Sequence, residues 1–186
     1  MVLKNRLDLA QYFNELGYKV GAEIGVFGGH YSEILCKAIP GLKLYCIDPW
    51  EGYKGYRDHK FESSFNRALA EAHEKLDQYD CEFIQKFSLE AVGGFEDGSL
   101  DFVYIDGNHR YDYVRDDINV WAPRVKSGGI VAGDDYYIMP SGNVGVIRAV
   151  DEYAQLHKEI EMNIIPEDKV TILAHDDRQP QWWFRQ

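Results

Sequence analysis

The sequence predicts a single α/β domain, in which a doubly wound, mostly parallel sheet of seven strands carries helices on both faces. Short apolar stretches of strand length alternate with stretches that repeat apolar residues at helical spacing. A chain of 186 residues with 45% apolar content suits one domain, residues 1–186, with a sizeable core. The alternation continues through five strands and then gives way to a closing strand pair.

The clearest part of this pattern is a strand, helix, strand unit in residues 100–136. Its first apolar run ends at the turn DGNH, which contains Asp106 and His109, and its second ends at GDD, which contains Asp134 and Asp135. A helical crossover makes two strands of one sheet parallel, and parallel neighbours end on the same edge. These four side chains are therefore expected to converge on one crevice.

The remaining elements are predicted in chain order. An amphipathic helix within residues 1–18, with Leu3, Leu7, Ala10 and Phe13 on one face, is expected to cover the sheet. The predicted strands span residues 20–24, 42–47, 81–87, 102–105, 130–132, 160–165 and 170–174, with residues 182–184 in the last pairing. Five later helices are predicted. One ends near residue 38, one spans 61–76, a short one follows residue 88, and the last two span 111–125 and 144–156. Residues 49–60 lack periodicity and form a candidate lid loop.

Charge and cysteine content restrict the partners that the sequence favours. Twenty Lys and Arg against 31 Asp and Glu give a net charge of −11, which disfavours nucleic acid and anionic membranes as partners. The N-terminal residues lack the apolar core of a signal peptide, so a cytoplasmic location is expected. Cys36, Cys46 and Cys81 lie in apolar stretches and are expected to be buried, reduced thiols.

A ligand crevice is predicted where the strand order of such a sheet reverses, outside the carboxyl ends of the first and fourth strands. Gly25 and Gly29 would let the backbone turn tightly and approach a ligand. Asp48 ends the second strand and would accept hydrogen bonds from a ribose diol. Ser88 and the ring of Phe87 would hold an adenine at the end of the third strand.

The charge around this turn favours one kind of nucleoside over another. The G-x-G-x-x-G spacing of dinucleotide sites is absent. Glu23, two residues before Gly25, would repel a pyrophosphate and attract a cation such as the sulfonium region of S-adenosylmethionine. A tight turn that binds nothing is the alternative interpretation.

The acids of the two turns predict a metal site. Asp106, Asp134 and Asp135 would raise one another's pKa unless a cation neutralises them, and an all-oxygen set suits Mg²⁺, Mn²⁺ or Ca²⁺. His109 lies on the same loop as Asp106 and would take a proton from a bound hydroxyl. The alternative is a solvated acidic turn, with Asp106 capping the next helix.

Several motifs together resemble class I S-adenosylmethionine-dependent methyltransferases, which are Rossmann-like. They are EIGVFGGHYS at 23–32, IDPW at 47–50, FSLEA around Ser88, YIDGNHRY from Tyr104, and GGIVAGDDY ending at Tyr136. More narrowly, they resemble the small metal-dependent O-methyltransferases that include macrocin and macrolide-sugar enzymes. The likeness covers nearly the whole chain from Val20 onward.

The resemblance implies roles for individual residues. It implies a metal held by Asp106, Asp134 and Asp135, and His109 as general base. The resemblance and the predicted crevice together imply a set of cofactor-binding residues. These are Glu23, Gly25, Gly29, Ser32, Asp48, Phe87, Ser88 and Asp106. Catechol-type relatives have a neutral amide where this chain has Asp135, and the antibiotic enzymes have more structure before the first strand.

The predicted activity is methyl transfer from S-adenosylmethionine to a hydroxyl of a small, sugar-like molecule. The rivals are a metal-independent methyltransferase, a non-catalytic nucleoside-binding protein and a nicotinamide dehydrogenase, the last disfavoured by Glu23 and the glycine spacing. The short N-terminal segment leaves the pocket for a neighbouring subunit to cap, so a homo-oligomer is one expectation.

Overall fold

A seven-stranded sheet organises the chain, as the sequence predicts. The computed structural model describes residues 2–52, 62–167 and 179–186. In chain order the strands are β1 (Val20–Ile24), β2 (Lys43–Ile47), β3 (Asp80–Ile84), β4 (Leu100–Ile105), β5 (Val125–Gly133), β6 (Asn163–Ile165) and β7 (Gln181–Arg185). Their order across the sheet is β3-β2-β1-β4-β5-β7-β6, so the direction of winding reverses between β1 and β4.

Helices cover both faces of this sheet. They are α1 (Arg6–Glu15), α2 (His30–Ala38), α3 (Glu62–Leu76), α4 (Ser88–Ala91), α5 (Tyr111–Trp121) and α6 (Gly145–Leu156). The first three pack on the face that carries Phe102 and Tyr104. The last three pack on the face that carries Val103 and Ile105. Alternate residues of β4 thus belong to two separate apolar cores, which is why its sequence is apolar without a break from Phe102 to Ile105.

The prediction of a mostly parallel sheet is correct for β1 to β5 and wrong at the last pairings. β7 runs antiparallel to both β5 and β6, so the sheet is mixed. The tail that was expected to join the last pairing forms β7 itself, between β5 and β6, and buries Trp182 and Phe184 completely. The strand predicted at residues 170–174 lies outside the described residues.

Several other boundaries differ from the prediction, since β6 begins at Asn163 instead of residue 160 and α5 ends at Trp121 instead of residue 125. β5 begins at Val125, five residues before the predicted strand, and continues through the Gly128-Gly129 pair. Gly128 has φ of 80°, and the pairing of β4 with β5 shifts register near this point. Glycine permits this irregularity without ending the strand. β3 ends at Ile84, so Phe87 precedes α4 instead of ending a strand.

α1 covers the sheet as expected, but through a different face. Leu9, Ala10 and Phe13 are fully buried, whereas Leu7 is 36% exposed. Arg6 is also buried, at 3% exposure. Spacings of three, four and seven residues place Arg6 on the same stripe as the three apolar side chains.

The prediction of buried, reduced cysteines is correct for two of the three residues. Cys36 and Cys46 are buried, Cys81 is partly buried, and all three are free thiols. Within the described ranges, we find no helix with the length and apolar character required to span a bilayer.

Candidate active site

The carboxyl ends of the central strands open onto a cavity of about 530 Å³. Backbone hydrogen bonds extend the strand ladder into the loops beyond, from Gly25 N to Ile47 O at 2.8 Å and from Asp106 N to Ile24 O at 2.8 Å. The loops after β1, β2 and β4 are thereby fixed side by side around the point where the winding reverses. This is the position that the sequence predicts for a ligand.

Gly25 and Asp48 lie on the wall of this cavity. Gly25 has φ of 93°, and a Cβ there would lie 2.2 Å from the carbonyl oxygen of Asp106, so only glycine fits. The carboxylate of Asp48 accepts hydrogen bonds from Phe27 N at 2.9 Å and Trp50 N at 2.7 Å. Asp48 therefore fastens the turns after β1 and β2 together, and its role toward a ribose stays a prediction.

The first residues of the candidate lid are part of this framework. Trp50 is 5% exposed, and its indole N–H donates to the carbonyl oxygen of Phe27 at 2.8 Å. Pro49 and Glu51 line the cavity. Residues 53–61, and with them most of the predicted lid, lie outside the described residues.

Glu23, Ser32 and Gly29 lie behind the cavity wall. Glu23 is 1% exposed and accepts a hydrogen bond from the Ser32 hydroxyl, which is also buried. Burial raises the pKa of Glu23 to about 8, against the opposing hydrogen bond from Ser32. Gly29 is the N-cap residue of α2, with φ of 73°, and lies against α3, where a Cβ would come within 3.1 Å of Ala72 Cα. The structure brings these residues together as support for the turn after β1, and contact with a cofactor stays a prediction for each.

Phe87 and Ser88 line the cavity at the start of α4. The Ser88 hydroxyl donates to the carboxyl group of Asp117 and accepts from the indole N–H of Trp121 at 2.8 Å. Both partners belong to α5, so the hydroxyl joins the two helices. The Ser88 hydroxyl, which was predicted to face an adenine, thus already has two protein partners, and its contact with an adenine stays a prediction.

The acidic edge, defined here as Asp106, His109, Asp134 and Asp135, lies beside the cavity at the ends of β4 and β5. His109 Nε2 lies 2.9 Å from Asp135 Oδ2 and 3.8 Å from Asp106 Oδ1. One donor atom from each of these three residues lies within 4.8 Å of the other two, which is close enough for one ion. An oxygen-rich set with one imidazole fits Mg²⁺ or Mn²⁺ better than a soft metal.

Asp134 differs from the other acids of the edge. It is 6% exposed, its Oδ1 accepts from Asp135 N at 2.9 Å, and its Oδ2 lies 3.5 Å from Nη1 of Arg6. The same Nη1 lies 3.6 Å from Asp106 Oδ2. The solvated-turn alternative does not describe this buried ion pair. Asp106 does not cap α5 either, since Arg110 is the N-cap residue and has no side-chain cap hydrogen bond.

The charges within the acidic edge act on one another. Burial raises the pKa of Asp134, and the charge of Asp106 adds to this, while Arg6 opposes it. Burial lowers the pKa of His109, but the hydrogen bonds to Asp106 and Asp135 and their negative charges outweigh it and raise the value to about 10. The imidazole is therefore held as a cation between two carboxylates at neutral pH.

Sequence reasoning missed Arg6 and Asp117, although a signal for each was present. Both are charged residues on the apolar stripe of an amphipathic helix, in α1 beside Leu9 and Phe13 and in α5 beside Val114 and Trp121. Charged side chains are rarely buried without a partner. Such a position therefore marks a buried contact whose partner the sequence does not identify.

The strand order and the position of the cavity define a class, the doubly wound Rossmann-like α/β proteins, in which ligands bind at the reversal of the sheet. A family model described as "Methyltransferase domain" matches residues 22–136, which include β1 to β5 and the acidic edge. The chain belongs to this family of methyltransferase domains.

Solved structures with the same fold include O-methyltransferases and an rRNA methylase. An O-methyltransferase from Bacillus cereus in complex with SAH has a TM-score of 0.66 and 11% identity, over 97% of this chain and 80% of that one. The O-methyltransferase TomG from Streptomyces achromogenes, in complex with SAM, has a TM-score of 0.66 and 15% identity, over 97% and 78%. An rRNA methylase from Streptococcus thermophilus has a TM-score of 0.65 and 12% identity, over 100% and 99%.

One curated protein is similar in sequence. The uncharacterized protein y4gI of Sinorhizobium fredii is 25% identical over 126 residues, which are 64% of this chain and 13% of that protein. The chain thus spans about an eighth of the length of this relative. Because the fold is common to O-methyltransferases and an rRNA methylase, it leaves the prediction against nucleic-acid partners unsupported.

Proposed function

We propose that this protein transfers a methyl group from S-adenosylmethionine to a hydroxyl of a small, sugar-like molecule, with a divalent ion orienting the acceptor. The observation that carries the proposal is the convergence of Asp106, His109 and Asp135 beside the cavity, with donor atoms within 4.8 Å of one another. The sugar-like acceptor rests on the resemblance of the two acidic turns to macrolide-sugar enzymes.

The residues of the cavity have separate roles in this proposal. Asp48, Phe87 and Ser88 would hold the nucleoside, and Gly25 lets the turn after β1 pack against the Asp106 loop on the cavity wall. When bound, S-adenosylmethionine supplies the electrophilic methyl group, and a Mg²⁺ ion lowers the pKa of the acceptor hydroxyl. Holding both reactants in the cavity makes the transfer effectively unimolecular.

The acidic edge provides the ion site and the base. Asp106 and Asp135 would be ligands, while Asp134 is a predicted ligand whose Oδ2 lies beside Arg6. His109 would accept the hydroxyl proton at Nε2, the atom that faces the two carboxylates. For this the imidazole must first lose its proton, which a divalent charge on Asp106 and Asp135 would favour.

A metal-independent methyltransferase is the second candidate. Arg6 supports it, because this guanidinium supplies positive charge to Asp106 and Asp134 without an added ion. Methyl transfer that persists in excess EDTA would favour this candidate.

Calorimetry and turnover together test the proposal. We expect saturable binding of S-adenosylmethionine both in EDTA and in millimolar Mg²⁺, and turnover of hydroxylated acceptors only with Mg²⁺. Asp135→Asn should keep cofactor binding but lose metal dependence and most turnover. Asp77→Asn, the same change at an exposed acid after α3, is the control. Absence of cofactor binding, or unchanged turnover in Asp135→Asn, would refute the activity or the metal role respectively.

A further inference from the structure

Arg6 is the first residue of α1 and reaches the acidic edge from outside the strand ends. Its Nη1 atom lies 3.6 Å from Asp106 Oδ2 and 3.5 Å from Asp134 Oδ2, and only 4% of its side chain is exposed. Water therefore screens these ion pairs little. The N-terminal helix, which the sequence assigns to covering the sheet, thus also brings a permanent positive charge to the site.

The surroundings of Arg6 fix its position. Its guanidinium lies 5.2 Å from the centre of the Tyr31 ring, and its backbone carbonyl accepts a hydrogen bond from the Tyr31 hydroxyl at 3.2 Å. Asn5 caps the helix immediately before it, accepting from Leu7 N and Asp8 N at 3.1 Å each. Arg6 is therefore held at both its backbone and its side chain.

The oxygens of the acids are divided between two cationic groups. Oδ2 of Asp106 and Oδ2 of Asp134 face Arg6, whereas Oδ1 of Asp106 and Oδ2 of Asp135 face His109. The remaining Oδ1 of Asp134 accepts from Asp135 N. Both oxygens of Asp134 thus have protein partners. Asp106 and Asp135 each keep an oxygen beside His109, where one ion could be held.

We infer that Arg6 is a positioning residue that retains Asp134 in an internal ion pair and restricts a divalent ion to Asp106 and Asp135. Its positive charge also weakens the binding of that ion. This inference rests on the proposed function, since it concerns the ion of that reaction. A guanidinium within ion-pair distance of one ligand repels a second cation on the same carboxylate. The three acids accordingly have unequal roles, although their sequence positions suggest one set of ligands.

Binding of Mn²⁺, followed by the electron paramagnetic resonance of the free ion, tests the inference independently of turnover. Compared with the wild type, we expect Asp135→Asn to weaken Mn²⁺ binding strongly. Asp134→Asn should change the affinity for Mn²⁺ by less than about threefold. Arg6→Gln should tighten it at least about tenfold, because one positive charge near the ion is removed. Arg115→Gln removes an exposed arginine that pairs with Asp116, and should leave it unchanged.

A double variant tests the inference even if Arg6→Gln alone does not fold. Arg6→Gln alone leaves buried acids without their cation, which is destabilising. Arg6→Gln with Asp134→Asn removes both charges of the pair, and we expect it to bind Mn²⁺ at least about tenfold more tightly than Asp134→Asn alone. Thermal melting of each variant establishes that it is folded.

The results separate this inference from the proposed function. A tenfold or greater loss of Mn²⁺ affinity in Asp134→Asn, or weaker binding in Arg6→Gln, would show that Asp134 or Arg6 supports the ion and would overturn the inference. The inference would also be overturned if neither the wild type nor Arg6→Gln binds Mn²⁺ while both still bind SAH. Failure to bind SAH calorimetrically would instead defeat the proposed function.

Discussion

Asp117 shows how one buried carboxyl group makes a helix contact depend on pH. It accepts a hydrogen bond from Ser88 and is 6% exposed. Burial raises its pKa from 3.8 to about 7, with the Ser88 hydrogen bond opposing and the charge of Asp116 adding to the shift. The folded chain therefore retains a proton between pH 4 and 7 that the unfolded chain releases.

This retained proton predicts how stability changes with pH. The contribution of Asp117 to the free energy of unfolding is present below pH 4 and is lost as pH rises through about 7. Asp117→Asn keeps an acceptor for Ser88 without the charge. The free energy of unfolding of Asp117→Asn minus that of the wild type should therefore be higher at pH 8 than at pH 4, by a few kcal/mol.

Urea denaturation at several pH values measures this difference. Asp77→Asn, the same change at an exposed acid after α3, is the control and should follow the wild-type profile. Equal pH profiles for Asp117→Asn and the wild type would show that Asp117 is charged in the folded protein.

α1 is an integral element of the domain. The ring of Phe13 is fully buried, and its centre lies 4.5 Å from that of Phe102 on β4 in a stacked arrangement. The Tyr18 hydroxyl, just after the helix, donates to the carbonyl oxygen of Gly128 on β5 at 2.7 Å. The helix that carries Arg6 is therefore fixed to the central strands by packing and by a hydrogen bond.

A pair of truncations within α1 tests this attachment. Phe13→Ala should lower the free energy of unfolding by about 3–5 kcal/mol, since it removes a fully buried ring and leaves a cavity. Leu7→Ala, on the exposed side of the same helix, should cost less than about 1 kcal/mol. Chemical denaturation gives both values. Similar costs for the two variants would mean that α1 is not packed on the sheet as described.

Charge is the property of the whole molecule that bears on its partners. A net charge of −11 opposes the cation excess that phosphate backbones require, yet an rRNA methylase has the same fold. We expect no saturable binding of an rRNA stem-loop at about 0.15 M salt. Fluorescence polarisation with a labelled stem-loop measures this. Saturation at low micromolar protein would identify RNA as a partner and redirect the search for the methyl acceptor.

The sequence alone determined the strand and helix alternation and the edge of the sheet where the acids meet. Apolar periodicity and turn residues are local, and a parallel crossover has one favoured hand, so these features follow from neighbouring residues. Asp106, His109 and Asp135 could be placed together on that basis. The position of Gly25 beside the Asp106 loop follows from the same rules.

Only the tertiary structure decided which partner each buried charge has. Arg6 and Asp134 are 128 positions apart, and Ser88 meets Asp117 only after α4 packs on α5. The place of β7 between β5 and β6 likewise depends on long-range pairing. Local pattern specifies that a charge lies on a buried face. The identity of its partner depends on packing between elements that are distant in the chain, because a buried charge is stable only where an opposite charge or hydrogen bond meets it.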